Sequence, residues 1–89
     1  MASYEVRWSA AAGRELRAIP ADPRRRILIA VLSLADDPFL PGSRKLKDGA
    51  AEYRLRVGDY RVLYDVYRTE VVVQVLRVGH RREVYRQRS

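Results

Sequence analysis

The segment EYRLRVGDYRVLYDVYRTEVVVQVLRV, residues 52–78, constrains the fold more than any other part of this chain. Its apolar positions recur at every second residue over much of its length, the period of a strand that buries one face. Aromatic and β-branched side chains dominate it, and Gly58-Asp59 and Arg68-Thr69 interrupt it where a chain can reverse. The pattern predicts three strands, 52–57, 59–67 and 70–78, joined as an antiparallel meander. Alternation then sorts the side chains. Tyr53, Leu55 and Val57, with Tyr60, Val62, Tyr64 and Val66, make a largely apolar face. Arg54, Arg56 and Arg61 gather on the opposite one, with Arg81 close by if the last strand pairs as expected.

Upstream, YEVRW at 4–8 has the composition of a short strand. Ser9 is a suitable N-cap for a helix running to about Ile19, with Ala12, Leu16 and Ile19 on one side and Pro20 ending it. Asp22-Pro23 reads as a second start, and residues 23–35 then place Ile27, Val31 and Leu34 on one stripe flanked by Leu28, Leu32 and Ala35. Residues 36–49, punctuated by Pro and Gly, read as a loop. The expected fold is a single α+β domain over residues 1–89 in the order β-α-α-β-β-β. A helical hairpin packs on one face of an antiparallel sheet, and a basic concave face lies opposite.

The chain is basic, with 18 Lys and Arg against 11 Asp and Glu, a net charge of +7. Sixteen of the 18 are arginine, whose planar fork matches a phosphate better than the point charge of lysine does. An acidic partner such as nucleic acid or a ribosome is the functional reading of this balance, and plain solubility is the other. No cysteine is present, so neither a disulfide nor a thiolate nucleophile enters the account. The first 16 residues contain no apolar run long enough for a secretory signal, and nothing later is long enough to span a bilayer; a cytoplasmic location is expected.

No phosphate-binding glycine loop, metal-ligand spacing or Ser-His-Asp set is present, and His80 is the single histidine. No cofactor is expected. What remains is a set of arginines with Tyr85. Arginine does not act as a base, but it can hold a phosphodiester and stabilise charge developing at phosphorus. When the 2'-hydroxyl of RNA is the nucleophile, little more is needed than an in-line phosphate, neutralised oxygens and a route for protons. Arg54, Arg56, Arg61 and Arg81 suit the first two tasks, and Tyr85 or His80 the third; a solvated basic face remains the competing reading of the same residues.

The runs EYRLRVGDYRVLYDV and VVVQVLRVGHRREVYR, with YEVRWSAAAGRELRAIP and DDPFLPGSRKLKDG before them, resemble the RelE family of bacterial toxins within the RelE/ParE superfamily. The resemblance extends over nearly the whole chain. It implies the toxin of a type II toxin–antitoxin pair, acting as a metal-independent endoribonuclease. Such a toxin enters the A site of the 70S ribosome, cleaves the mRNA there and leaves a 2',3'-cyclic phosphate and a 5'-hydroxyl. It also implies an antitoxin partner, RelB-like or of another class, and contact with operator DNA only through the antitoxin complex.

By the same resemblance, Arg61 and Arg81 are the phosphate-contacting arginines and Tyr85 the tyrosine of the site, with His80 as a further candidate for proton transfer. The best-known members carry lysines where this chain has Arg54 and Arg56, which leaves these two to charge stabilisation and RNA contact. Arg82, Arg44, Lys45 and Lys47 are expected to contact RNA. Two other functions share the superfamily pattern or the charge: a ParE-like toxin that inhibits DNA gyrase, and a non-catalytic basic module that binds RNA or its antitoxin. The set of Arg61, Arg81 and Tyr85 favours the ribonuclease.

Overall fold

The computed structural model describes residues 3–46 and 51–81. The elements are β1 (Glu5–Trp8), α1 (Ala10–Arg17), α2 (Ala21–Ser33), β2 (Ser43–Lys45), β3 (Tyr53–Val57), β4 (Tyr60–Tyr67) and β5 (Val72–His80). They form two helices on a five-stranded sheet of order β1-β5-β4-β3-β2. The α+β class and the β3–β4–β5 meander are as the sequence predicts. The sheet as a whole is mixed, not wholly antiparallel, because β1 runs parallel to β5. It also has an extra strand: the expected loop contains β2, which pairs with β3 at one edge. Three residues are too few to leave a periodic signal, so only pairing reveals such a strand. Among the described residues no helix is long and apolar enough to cross a membrane.

Ser9 caps α1 as expected, its Oγ accepting from the Ala12 amide at 3.0 Å. The second helix starts two residues before the expected Pro23. Pro20 holds the cap position, no side chain caps the end, and Asp22 lies inside the first turn. Pro23 fits there because the amides of a first turn have no partner within the helix to lose. The other end closes in tight turns, Leu34 bonding Val31 and Ala35 bonding Leu32, so regular helix stops at Ser33 and not at 35.

The core is the apolar face that alternation predicts. Leu55, Val62, Tyr64, Val73, Val75 and Val78 meet Ala12, Ile27, Val31 and Leu34, all at most 1% exposed. Strand β5 reaches this core on both sides of an irregularity. Leu63 pairs with Arg77 and Tyr64 with Val75, which leaves Leu76 as the unmatched residue of a β-bulge. In a regular strand Val75 and Val78, three apart, would point to opposite faces; the bulge brings both to the core. The β4–β5 connection is also longer than the expected Arg68-Thr69 turn: it runs to Val71, which adopts φ 58°, and β5 begins at Val72. A β-branched residue at positive φ is strained, and no sequence rule assigns it there.

Tyr64 links this core to the segment after α2. Its buried hydroxyl donates to the Pro38 carbonyl at 2.7 Å, while Tyr53 stacks on its ring at 5.7 Å and Phe39 packs on Tyr53 at 5.3 Å. Burial pushes the Tyr64 hydroxyl from 10.0 up to about 12, with the Ser43 hydrogen bond acting in the opposite direction. The folded chain therefore keeps this proton at a pH where the unfolded chain has released it. The contribution to stability is complete below pH 10.0 and is lost as pH rises to about 12. Tyr64→Phe is expected to cost about 1–3 kcal/mol at neutral pH by leaving the Pro38 carbonyl unpaired. Urea titrations of both proteins should show that difference shrinking across the same alkaline window; a constant difference would contradict the assignment.

Candidate nucleic-acid interface

Strand pairing brings the arginines together. On the face away from the helices, Arg44 of β2 stands opposite Arg54 of β3, and Arg56 of β3 opposite Arg61 of β4. Directly opposed like charges are unfavourable on a sheet, at roughly 0.2–1 kcal/mol per pair. Among the described residues no ion pair involves Arg44, Arg54 or Arg56; the pairs present are Glu5–Arg7, Asp22–Arg25 and Glu15–Arg77. An anionic ligand laid across this face would offset the repulsion. The face is not basic throughout, because Leu63, Ala51, Leu46 and Leu76 form a small apolar patch on it.

Arg61 is set apart from its neighbours. It is only 8% exposed, whereas Arg56 lies open to solvent. Its Nη1 donates to the carbonyls of Gly58 at 3.3 Å and Tyr60 at 3.1 Å, the two residues that flank Asp59 at the tip of the β3–β4 hairpin. Gly58 takes φ 59° there, a conformation that glycine adopts without penalty. Gly79 is the partner of Arg61 in β5 and puts no side chain beside it. The guanidinium is therefore held in place before any ligand arrives.

Arg81 joins the same corner. It is exposed, and its amide donates to the Asp59 carbonyl at 2.8 Å, so the ladder continues one residue beyond β5. Alternation carries it to the side of Gly79 and Arg61. His80 goes the other way. It pairs with Tyr60 and meets that ring edge-on at 5.9 Å, on the side of the sheet that carries Val62 and the helices. Lys45 likewise pairs with Tyr53, not with an arginine. Arg44 and Lys45 lie on an edge strand, not in the expected loop. Lys47, Arg82 and Tyr85 lie outside the described residues.

Two features were not anticipated from the sequence. Arg24, in the basic start of α2, donates to the carbonyls of Arg17 and Ile19 at 3.4 Å each, so it serves the end of α1. A cleft of about 180 Å³ opens between α2 and the hairpin tip, lined by Pro23, Arg26, Val57, Gly58, Asp59 and Tyr60. It is smaller than the roughly 300–1,000 Å³ of sites that enclose drug-sized ligands. Neither leaves a periodic or motif signal, since both arise where separate elements meet.

The profile of the ParE toxin of the type II toxin–antitoxin system parDE matches residues 6–85. Toxin RelG of Mycobacterium tuberculosis is 34% identical over 88 residues, spanning 93% of this chain and 97% of that protein. The RelE–RelB complex from Pyrococcus horikoshii OT3 has a chain that superposes with a TM-score of 0.77 at 29% identity, covering 91% of this chain and 98% of that one. A mutant of Escherichia coli toxin RelE in the free state gives a TM-score of 0.75 at 27% identity, covering 97% and 94%. The helix pair and the five-stranded sheet thus describe a fold of the RelE type. The chain belongs to the toxins of type II toxin–antitoxin systems, in the RelE/ParE superfamily.

The two kinds of arginine should respond differently to substitution. Arg61→Met keeps an unbranched side chain in the buried position but leaves the turn carbonyls without their donor, and is expected to lower stability by about 1–3 kcal/mol. Arg56→Gln removes one member of a like-charged pair and should leave stability unchanged or raise it by up to about 1 kcal/mol. Chemical denaturation of both variants checks this; equal losses would show that Arg61 is not part of the hairpin's structure.

Proposed function

We propose that this toxin is an endoribonuclease that cleaves mRNA in the ribosomal A site. The observation that carries the reading is the opposed pairs Arg44–Arg54 and Arg56–Arg61 on one sheet face, beside Arg81. Among the described residues Arg44, Arg54 and Arg56 have no ion pair to relieve this repulsion, which favours an anionic ligand with several charges along its length. RNA has that form, and RelE toxins are among the structural relatives.

Each residue then has a role. Arg61, fixed by its own turn, and Arg81 hold the scissile phosphate and stabilise the charge that builds on its oxygens. Arg54, Arg56 and Arg44 bind the flanking backbone or rRNA, with Lys45, Lys47 and Arg82 as further contacts. The nucleophile is the 2'-hydroxyl of the mRNA itself, giving a 2',3'-cyclic phosphate and a 5'-hydroxyl. Proton transfer is assigned to Tyr85, and the register that turns His80 toward Tyr60 supports giving His80 the lesser part. No cofactor enters the scheme. The ribosome supplies an ordered mRNA, an orientation effect that can contribute several powers of ten.

The partner is an antitoxin, RelB-like or of another class, as in the complexes of the relatives. Helix α2 offers it a surface: Leu28, Ile29 and Leu32 are 37%, 60% and 62% exposed, with the cationic Arg25 one turn before them. An amphipathic helix with acidic flanks fits that stripe. Operator DNA is reached only through the antitoxin complex, and the cytoplasm is the setting.

Purified ribosomes programmed with a defined mRNA test the reading by primer extension. The wild type should create a new 3' end inside the A-site codon. Arg81→Ala should reduce the single-turnover rate by about 10²–10³-fold, the range for one lost transition-state donor. Because the matching profile is that of the ParE toxin, the same preparation should also be assayed for inhibition of DNA gyrase. Inhibition of gyrase without mRNA cleavage would replace the ribonuclease reading.

A further inference from the structure

Strand β5 is paired with β1 only as far as Val75, yet its last residues lead directly to Arg81. Beyond Val75 the open edge of β5 is closed by α1 and its cap. The Ser9 amide donates to the Val75 carbonyl at 2.9 Å, and Ser9 Oγ donates to the Leu76 carbonyl at 2.9 Å. Glu15 then takes the next position. Its Oε1 accepts from the Val78 amide at 2.9 Å, and its Oε2 accepts from both Nε and Nη2 of Arg77. A carboxylate thus stands where a longer β1 would supply a carbonyl. It does so beside the bulge at Leu76, where the ladder to β4 is itself irregular.

We infer that Glu15 is a positioning residue for the site: by bonding the Val78 amide, with Arg77 orienting its carboxylate, it fixes the course of β5 that brings Arg81 to the hairpin tip beside Arg61. The inference rests on the ribonuclease reading for its effect on rate, and on the structure alone for its effect on the strand. Glu15 and Arg77 have side chains 24% exposed, so the pair is partly shielded from solvent competition. No other ion pair among the described residues joins a helix to the sheet. Because Glu15 does not contact Arg81, its loss acts on geometry, and a shift of about 1 Å in a catalytic group can cost about a hundredfold in rate.

The test compares Glu15→Ala and Glu15→Gln with wild type by amide hydrogen exchange in the free protein and by single-turnover mRNA cleavage on ribosomes. In Glu15→Ala, exchange should accelerate at Val78 and also at Arg81, whose amide bonds Asp59. Cleavage should slow about a hundredfold, with ribosome affinity unchanged. Glu15→Gln keeps an oxygen for the Val78 amide and should restore most of the protection and rate. Unchanged exchange at Arg81 in Glu15→Ala would overturn the inference, as would a wild-type rate despite a loosened strand. A Gln variant as impaired as Ala would also overturn it, by showing that charge and not the anchored amide matters. If the wild type cleaves no mRNA, the ribonuclease reading fails, and the exchange at Arg81 still decides whether Glu15 holds the strand.

Discussion

The register of β4 is the constraint on which the rest depends. Its residues alternate between two environments that cannot be exchanged: Val62, Tyr64 and Val66 under the helices, and Arg61 and Leu63 on the opposite face. A slip of one residue would drive arginine into the core and expose three apolar side chains. Two features hold the register in place. The Gly58-Asp59 turn sets it against β3, and the bulge at Leu76 lets β5 supply valines on both sides of its irregularity without breaking the pairing. Arg61 reinforces the turn that precedes it, so the residue proposed to grip phosphate also helps to define the strand that carries it.

Much of this is legible in the sequence because period-two alternation is a direct image of a half-buried strand. The parity of EYRLRV and DYRVLYDVY correctly separates the core from Arg54, Arg56 and Arg61. Ser9 as a cap and the stripe of Ile27, Val31 and Leu34 are equally direct. The features that escape are those decided by contacts between distant segments. The VVVQVLRV run does not show which residue is extra, so the bulge at Leu76 is hidden, and with it the placement of His80 on the helix side. The parallel pairing of β1 and the short β2 depend on partners, not on local pattern. Arg24 illustrates the same limit: it reads as part of a charge run, yet it is used to satisfy carbonyls of α1.

The candidate site departs from local consistency in the way functional surfaces do. Elsewhere some described charges stand against opposite ones, as Arg7 does with Glu5 and Arg77 with Glu15. On the arginine face like charges stand opposite one another, at a cost in stability that an anionic ligand would offset. Burial separates their roles. Arg61 is held rigid and partly desolvated, suited to a phosphate whose charge changes during reaction; Arg56 is open to solvent, suited to a backbone that only needs to be held. Arginine in place of a titratable cation at these positions leaves proton transfer to another group, which is why the chemistry is assigned to the hydroxyl of RNA and to Tyr85.

The central claim is that the protein supplies charge and position while the RNA supplies its own nucleophile. It is tested most directly by one substitution in the substrate. An mRNA carrying a single 2'-deoxynucleotide immediately 5' to the scissile phosphate is placed in the A site and challenged with the wild-type toxin. The account predicts that this transcript stays intact while its all-ribose counterpart is cut and ends in a 2',3'-cyclic phosphate. Cleavage of the deoxy-substituted transcript at the same position would show that another nucleophile attacks phosphorus, and this account of the site would be wrong.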